Sequence, residues 1–326
     1  MVAQHADEDI SAHRFEEQRR RLLGLAYRML GSAAEAEDVV QDAWLRWSAV
    51  SEPVEDPAAY LVRVTTRLCL DRLKSARQRR EVYVGPWLPE PVPDAASFRF
   101  EAAMQGSATP EREAELADDL SFALLLALER LSPAERAAFL LHDVFDLGHR
   151  EIAASLGRSE AATRQLASRA RREVRSARPG PTPTTAELAV EHRRLLSGFR
   201  RAVEEGDVAS FRQLLTEDAV ALSDGGGEVA AALNPIRGAD KVTRFVFGIA
   251  AKHLAAGATV ETREIELNGL PGLVVLVDGA LDVAISLAAR EGRAETLYLV
   301  RNPAKLELVR RFLRRADPVG RSRDEG

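Results

Sequence analysis

The chain of 326 residues has a single cysteine, Cys69, so an internal disulfide and any multi-cysteine zinc site are excluded. Cys69 sits in an apolar helical stretch and reads as a buried bystander. Aromatic residues make up only 6% and no apolar run approaches the roughly 18 residues of a membrane span, so no span is expected. The polar, acidic start, Met1–Asp9, has no apolar centre and is not a secretory signal. What is present, 46% hydrophobic and 29% charged residues, suits a soluble cytoplasmic chain of two or three domains.

The net charge of -5 argues against a nucleic-acid binder until its distribution is read. Arg63, Arg67, Arg72, Lys74, Arg77, Arg79 and Arg80 face one acid, Asp71. Arg158, Arg164, Arg169, Arg171, Arg172, Arg175 and Arg178 face only Glu160 and Glu173. Acids gather at Glu35–Asp42 and Glu111–Asp119. Charge sorted into blocks predicts two phosphate-facing surfaces and a separate partner surface.

Helical periodicity covers 12–80, with Ser32 as a cap and Asp56-Pro57 opening a third helix. Residues 81–108, with Pro86, Pro89, Pro91 and Pro93, read as a linker. A second helical block, 109–178, includes the capping box Ser132-Pro133-Ala134-Glu135. A linker at 179–185, beginning Pro179-Gly180-Pro181, marks the clearest boundary. Beyond it 186–312 is α+β: helical patterns at Leu188–Val203 and Val208–Leu215, then strands at Ala219–Leu222, Thr259–Leu267, Leu273–Val277, Leu281–Ala288 and Glu295–Val300. Gly225-Gly226-Gly227 and Asn268-Gly269 read as turns, and 313–326 as a disordered tail.

Arg150–Leu156, the break at Gly157, the cap Ser159 and a helix Glu160–Arg175 make a helix-turn-helix. The second helix carries Thr163, Arg164, Gln165, Ser168 and Arg169. Arg and Gln make bidentate contacts to guanine and adenine edges, each discriminating by about 1–3 kcal/mol. Arg171, Arg172 and Arg175 extend this surface toward phosphates.

Three segments together resemble the extracytoplasmic-function sigma factors of RNA polymerase. Asp38–Trp47 is similar to the core-binding helix of sigma region 2, Tyr60–Leu73 to the helix that meets melted promoter DNA, and Arg164–Arg171 to region 4. The resemblance implies that Asp38, Gln41, Asp42 and Arg46 face the polymerase. It implies that Arg63, Arg67, Arg72 and Lys74 face the melted strand, with Tyr60 either stacking on a base or packing in the core. The family's pocket for a flipped base would fall near Val50–Pro57. The C-terminal block resembles the SnoaL-like α+β cone, fused to sigma factors in one subgroup. That subgroup's motifs are Trp87-Leu88-Pro89-Glu90-Pro91, matched without change, and Asp224-Gly225-Gly226-Gly227 and Asn302-Pro303-Ala304-Lys305, where Glu228 and Ala304 depart from the pattern. In the subgroup the third domain docks on the linker and regulates the other two in place of an anti-sigma protein.

The expected architecture is therefore multidomain: two all-α sigma domains followed by an α+β cone. The expected partners are core RNA polymerase, promoter DNA and a small ligand in the cone, with no cofactor, no metal and no catalytic role. Two other functions follow from the same residues. A DNA-binding regulator that never joins polymerase would not need Asp38–Trp47. A tethered enzyme would use Asp218, Asp224 or His253, which form no convincing dyad. Trp87, a rigid aromatic between prolines, is expected to anchor the linker in a pocket.

Overall fold

The computed structural model describes residues 2–50, 52–81, 83–93, 120–177 and 185–316. The Pro179–Thr184 boundary, the acidic run Glu111–Asp119 and the final residues from Asp317 lie outside the described residues. The chain divides into two compact units, 1–82 with 96–182, and 83–95 with 183–326.

The first unit is all-α. α1 (Val2–Leu30) begins earlier than the expected Ala12 and stops where Gly31 turns left-handed at φ 68°. Ser32 caps α2 (Ala33–Ser48) by accepting the Glu35 amide at 3.3 Å. Asp56 caps α3 (Pro57–Glu81) by accepting the Ala59 amide at 2.9 Å. Leu22, Leu25, Met29, Ala36, Val39, Leu61 and Cys69 are fully buried at the spacing their periodicity required. Burial pushes the Cys69 thiol well up, so it is an inert core residue.

The second helical block follows with α4 (Phe122–Glu129), α5 (Pro133–Phe139), a π turn at Leu140–Val144, α6 (His149–Leu156) and α7 (Glu160–Ala177). The capping box on α5 forms in both directions, Glu135 amide to Ser132 and Ser132 amide to Glu135. α5 and α6 both pack against α3.

The second unit holds α8 (Thr185–Glu205), α9 (Val208–Gln213), α10 (Ala239–Ala255), α11 (Glu307–Ala316) and one sheet. Its strands are β1 (Leu215–Asp224), β2 (Ile236–Arg237), β3 (Val260–Leu267), β4 (Leu270–Val277), β5 (Ala280–Arg290) and β6 (Arg293–Val300), in the order β2-β1-β6-β5-β4-β3. Only the β1–β6 pairing is parallel. Asn268-Gly269 joins β3 to β4 with both residues at positive φ (55° and 81°), the twist a two-residue hairpin needs. α8 to α10 cover one face of the sheet, where Phe199, Phe211, Leu273, Leu287 and Leu297 form the core.

The alternate residues, Val274, Ala284, Ser286, Tyr298 and Val300, are buried too, so the opposite face is also covered. The segment Tyr83–Pro93, expected to lie in a linker on which the third domain docks, is here an extended strap within the C-terminal unit. The expected boundary at 81–108 is corrected accordingly. The tail is corrected as well, since Leu313–Ala316 continue α11. Alternating Arg and apolar residues there hold a helical period too short to stand out in the sequence.

Candidate functional site

The strap is held at two points. At the first, Asp224 ends β1 with no exposed surface and collects four donors. Its Oδ1 accepts from the Tyr83 hydroxyl at 2.5 Å and the Gly226 amide at 3.1 Å. Its Oδ2 accepts from the Leu88 amide at 2.8 Å and from Lys305 Nζ at 2.7 Å. Lys305 also donates to the Leu88 carbonyl and lies 4.3 Å from the Trp87 ring centroid. Asn302 donates to the Tyr83 hydroxyl at 2.9 Å. A buried carboxylate is tolerated only when paired and fully bonded, and here the strap supplies two of its donors. Burial, with the Asp224 carboxylate beside it, pushes the Tyr83 phenol up, so the proton stays on Tyr83.

The second point is the β3–β4 turn. The Val92 amide donates to Asn268 Oδ1 at 3.1 Å, and the Asn268 amide donates to the Val92 carbonyl at 2.8 Å. Between the two points Leu88, Pro89, Glu90, Pro91, Val92 and Pro93 are all buried.

The glycines of the motif are there for space. A Cβ on Gly225 would lie 2.4 Å from the Val229 carbonyl oxygen, and on Gly226 (φ 66°) 2.3 Å from Asn302 Nδ2. On Gly227 it would press on Val84 of the strap at 3.3 Å. The departures Glu228 and Ala304 are both exposed, and the Asp224–Lys305 pair forms without them. Pro303 adds its carbonyl as an acceptor for Arg310.

Trp87 is half-buried and rests on Lys305, while Leu88 and Val92 beside it are fully buried. Sequence reasoning missed Tyr83 and Asn268. Asn268 was visible only as a turn residue, and nothing local marks Tyr83.

In the first unit Gly157, at φ 63°, turns the chain between α6 and α7, and the Ala162 amide donates to Ser159 at 3.2 Å. Arg164, Gln165, Ser168, Arg169 and Arg172 are exposed on one side of α7, while Thr163, Ala167 and Ala170 are buried on the other. Arg171 stands apart from that row, since its guanidinium is tied to Asp143 at 2.6 Å. On α2, Asp38, Gln41 and Arg46 are exposed around Leu45, itself 57% exposed. On α3, Arg63 lies 5.5 Å from the ring centroid of Tyr60, which packs on Trp47. Lys74 is exposed and paired with Asp71 at 2.8 Å.

Arg72 corrects an expectation. It bridges Asp38 and Asp42 at 3.2 Å each, so this cation of the strand-facing set is spent on acids of the polymerase-facing set. The α2–α3 crossing brings them together across a sequence gap that spacing does not reveal. A cleft of about 360 Å³ opens where the flipped-base loop was expected, lined by Arg14, Val54, Glu55 and Asp56.

The comparisons with known proteins match this division. A family profile described as Sigma-70 region 2 covers residues 14–80, and one described as Sigma-70, region 4 covers 121–174. The chain is 38% identical to the ECF RNA polymerase sigma factor SigJ of Mycobacterium tuberculosis over 319 residues, 95% of this chain and 97% of that protein. This chain is an extracytoplasmic-function sigma factor. It is also 33% identical to a probable ECF sigma factor, SigI, of the same species, over 90% of this chain and 93% of that one. The crystal structure of M. tuberculosis SigJ superposes with a TM-score of 0.68 at 35% identity, covering 90% of this chain and 98% of that chain.

As a sigma factor the protein directs core RNA polymerase to promoters, and its C-terminal α+β unit is a regulator built into the same chain. The carboxylates considered for catalysis do not converge. Asp218 is exposed and paired with Arg290 at 2.8 Å, whereas Asp224 is buried beneath the strap. His253 lies in the last turn of α10.

Proposed function

We propose that this sigma factor regulates itself by gripping the connection between its two promoter-reading regions. Region 2 ends near Arg80 and region 4 begins near Ser121, so the strap Tyr83–Pro93 lies on the only covalent path between them. While the C-terminal cone holds the strap, the 83–93 stretch of that path is pinned, and releasing it lengthens the tether. The observation that carries this reading is the convergence of the Leu88 amide, the Tyr83 hydroxyl and Lys305 on the buried Asp224.

In this reading Arg164, Gln165, Ser168, Arg169 and Arg172 read the upstream promoter element in the major groove, with Arg171 as an outlying phosphate contact. Arg63, Arg67 and Lys74 meet the melted strand with Tyr60 at their edge, and Asp38, Gln41, Asp42 and Arg46 meet core polymerase. The polymerase partner places the protein in the cytoplasm, and no helix among the described residues is long and apolar enough to cross a membrane.

The test is run-off transcription with purified core polymerase on the protein's own upstream DNA, comparing the whole chain with Asp224→Asn. Transcript yield is expected to change at least threefold. An unchanged yield from a variant whose strap is cut faster by protease would defeat the proposal.

A further inference from the structure

The reading of α3 as the helix that meets the melted strand leads to a second control, inside the first unit. We propose that α6, the first helix of the helix-turn-helix, docks on the strand-reading face of α3 and competes there with unpaired promoter DNA. The inference rests on that reading of α3.

The face in question carries Arg63 and Arg67. Arg67 points at the last turn of α6, where Nε donates to the Ser155 carbonyl at 3.4 Å and Nη2 to the Ala154 carbonyl at 3.5 Å. The last carbonyls of a helix carry partial negative charge, so the C-terminus of α6 holds a guanidinium where a phosphate oxygen would otherwise sit. Beside this contact a cleft of about 250 Å³ has Val62 and Arg63 of α3 on one wall and Glu151 and Ala154 of α6 on the other. A strand laid along α3 would need the space that α6 fills.

The docking is secured at a second place. Arg136 on α5 is buried, and its Nη1 donates to the Met29 carbonyl at the end of α1 and to Glu129, both at 2.6 Å. Burial lowers the Arg136 pKa to about 10, still far above neutrality, so the guanidinium remains charged and bonded. Arg21 of α1 also lies over the Phe145 ring at 5.7 Å. These contacts join residues of the region 2 segment to residues of the region 4 segment. The long hydrogen bonds of Arg67 are the weak part of the interface, and Arg136 is the firm part. Opening at α6 therefore exposes the strand-reading face first.

The competition is tested by locking it. Cysteines are placed on the cleft walls as Ala59→Cys and Ala154→Cys in the full chain, and joined by a short cleavable bis-maleimide. Native Cys69 is buried and does not react. The same variant capped with N-ethylmaleimide controls for fold and for bulk on α3. Each form is mixed with core polymerase and a promoter duplex containing a preformed bubble, and complexes are counted by mobility shift. Holding the competent state below a tenth of its population weakens apparent affinity at least tenfold. The locked form is expected to lose that much, and cleaving the linker is expected to restore it.

Equal binding by locked and capped forms would overturn the competition while leaving the reading of α3 intact. A locked form that no longer joins core polymerase would overturn it too, because the block would then lie at assembly. If Arg63→Ala with Arg67→Ala binds the bubble as well as the parent chain, the reading of α3 fails, and the competition with it.

Discussion

The two units use charge in opposite ways. Most of the cations expected to meet DNA are exposed, and so are their ion pairs: Arg164 with Glu160 at 57% and 45% exposure, Lys74 with Asp71 at 75% and 66%. Such pairs contribute at most about 1 kcal/mol each, so they are given up at little cost when a phosphate arrives. The charges that hold the strap are enclosed, with Asp224 at 0% and Lys305 at 13% exposure. Their removal leaves a desolvated partner behind. Exposed charge serves binding to something outside the chain, and enclosed charge fixes one arrangement of the chain itself.

The sharpest way to break this contrast is Asp224→Ala. It would take the shared carboxylate away from Lys305, the Leu88 amide and the Tyr83 hydroxyl together, and about 3–5 kcal/mol of the C-terminal unit's stability should vanish in a denaturant titration. Leu88→Ala should follow at about 2–5 kcal/mol, because Leu88 is fully buried and leaves a cavity.

Gly226→Ala combines a left-handed φ with a clash on Asn302 and should cost about 1–3 kcal/mol by the same titration. Trp87→Ala, which removes a cation–π contact from a half-buried ring, should cost about 1 kcal/mol. A loss as large as that of Leu88→Ala would show that Trp87 anchors the strap as firmly as Leu88 does.

Arg164→Ala should be the mirror image. Thermal unfolding is expected to move by less than the equivalent of about 0.5 kcal/mol, while promoter affinity in a mobility-shift titration falls by about 1–3 kcal/mol. A large loss of stability would remove the distinction between the two kinds of charge.

Much of this protein could be read before its structure. The helix-turn-helix was legible because its signals are local: Gly157 needs a left-handed turn, Ser159 caps within three residues, and the buried positions of α7 recur at helical spacing. The β3–β4 hairpin was legible for the same reason, since Asn268-Gly269 can supply two positive φ values in succession. The Asp224 and Lys305 motifs were visible as motifs, though not as partners.

What stayed hidden is set by contacts between residues far apart in the chain. Leu88 finds Asp224 across 136 positions, and Tyr83 finds Asn302 across 219. Arg72 finds Asp38 across 34 positions, through the crossing of two helices. Sequence by itself determined the helix-turn-helix and its caps, the Asn268-Gly269 turn and which residues are suited to DNA, but not the start of α1 or the extent of α11. Only the tertiary structure decided that Tyr83, Leu88 and Val92 are the points at which the third domain holds the proline-rich linker, and that one strand-facing arginine is spent on the acids of α2. Capping, turn and period preferences act over a few residues, whereas burying Leu88 and satisfying Asp224 depend on which distant surfaces the fold brings together.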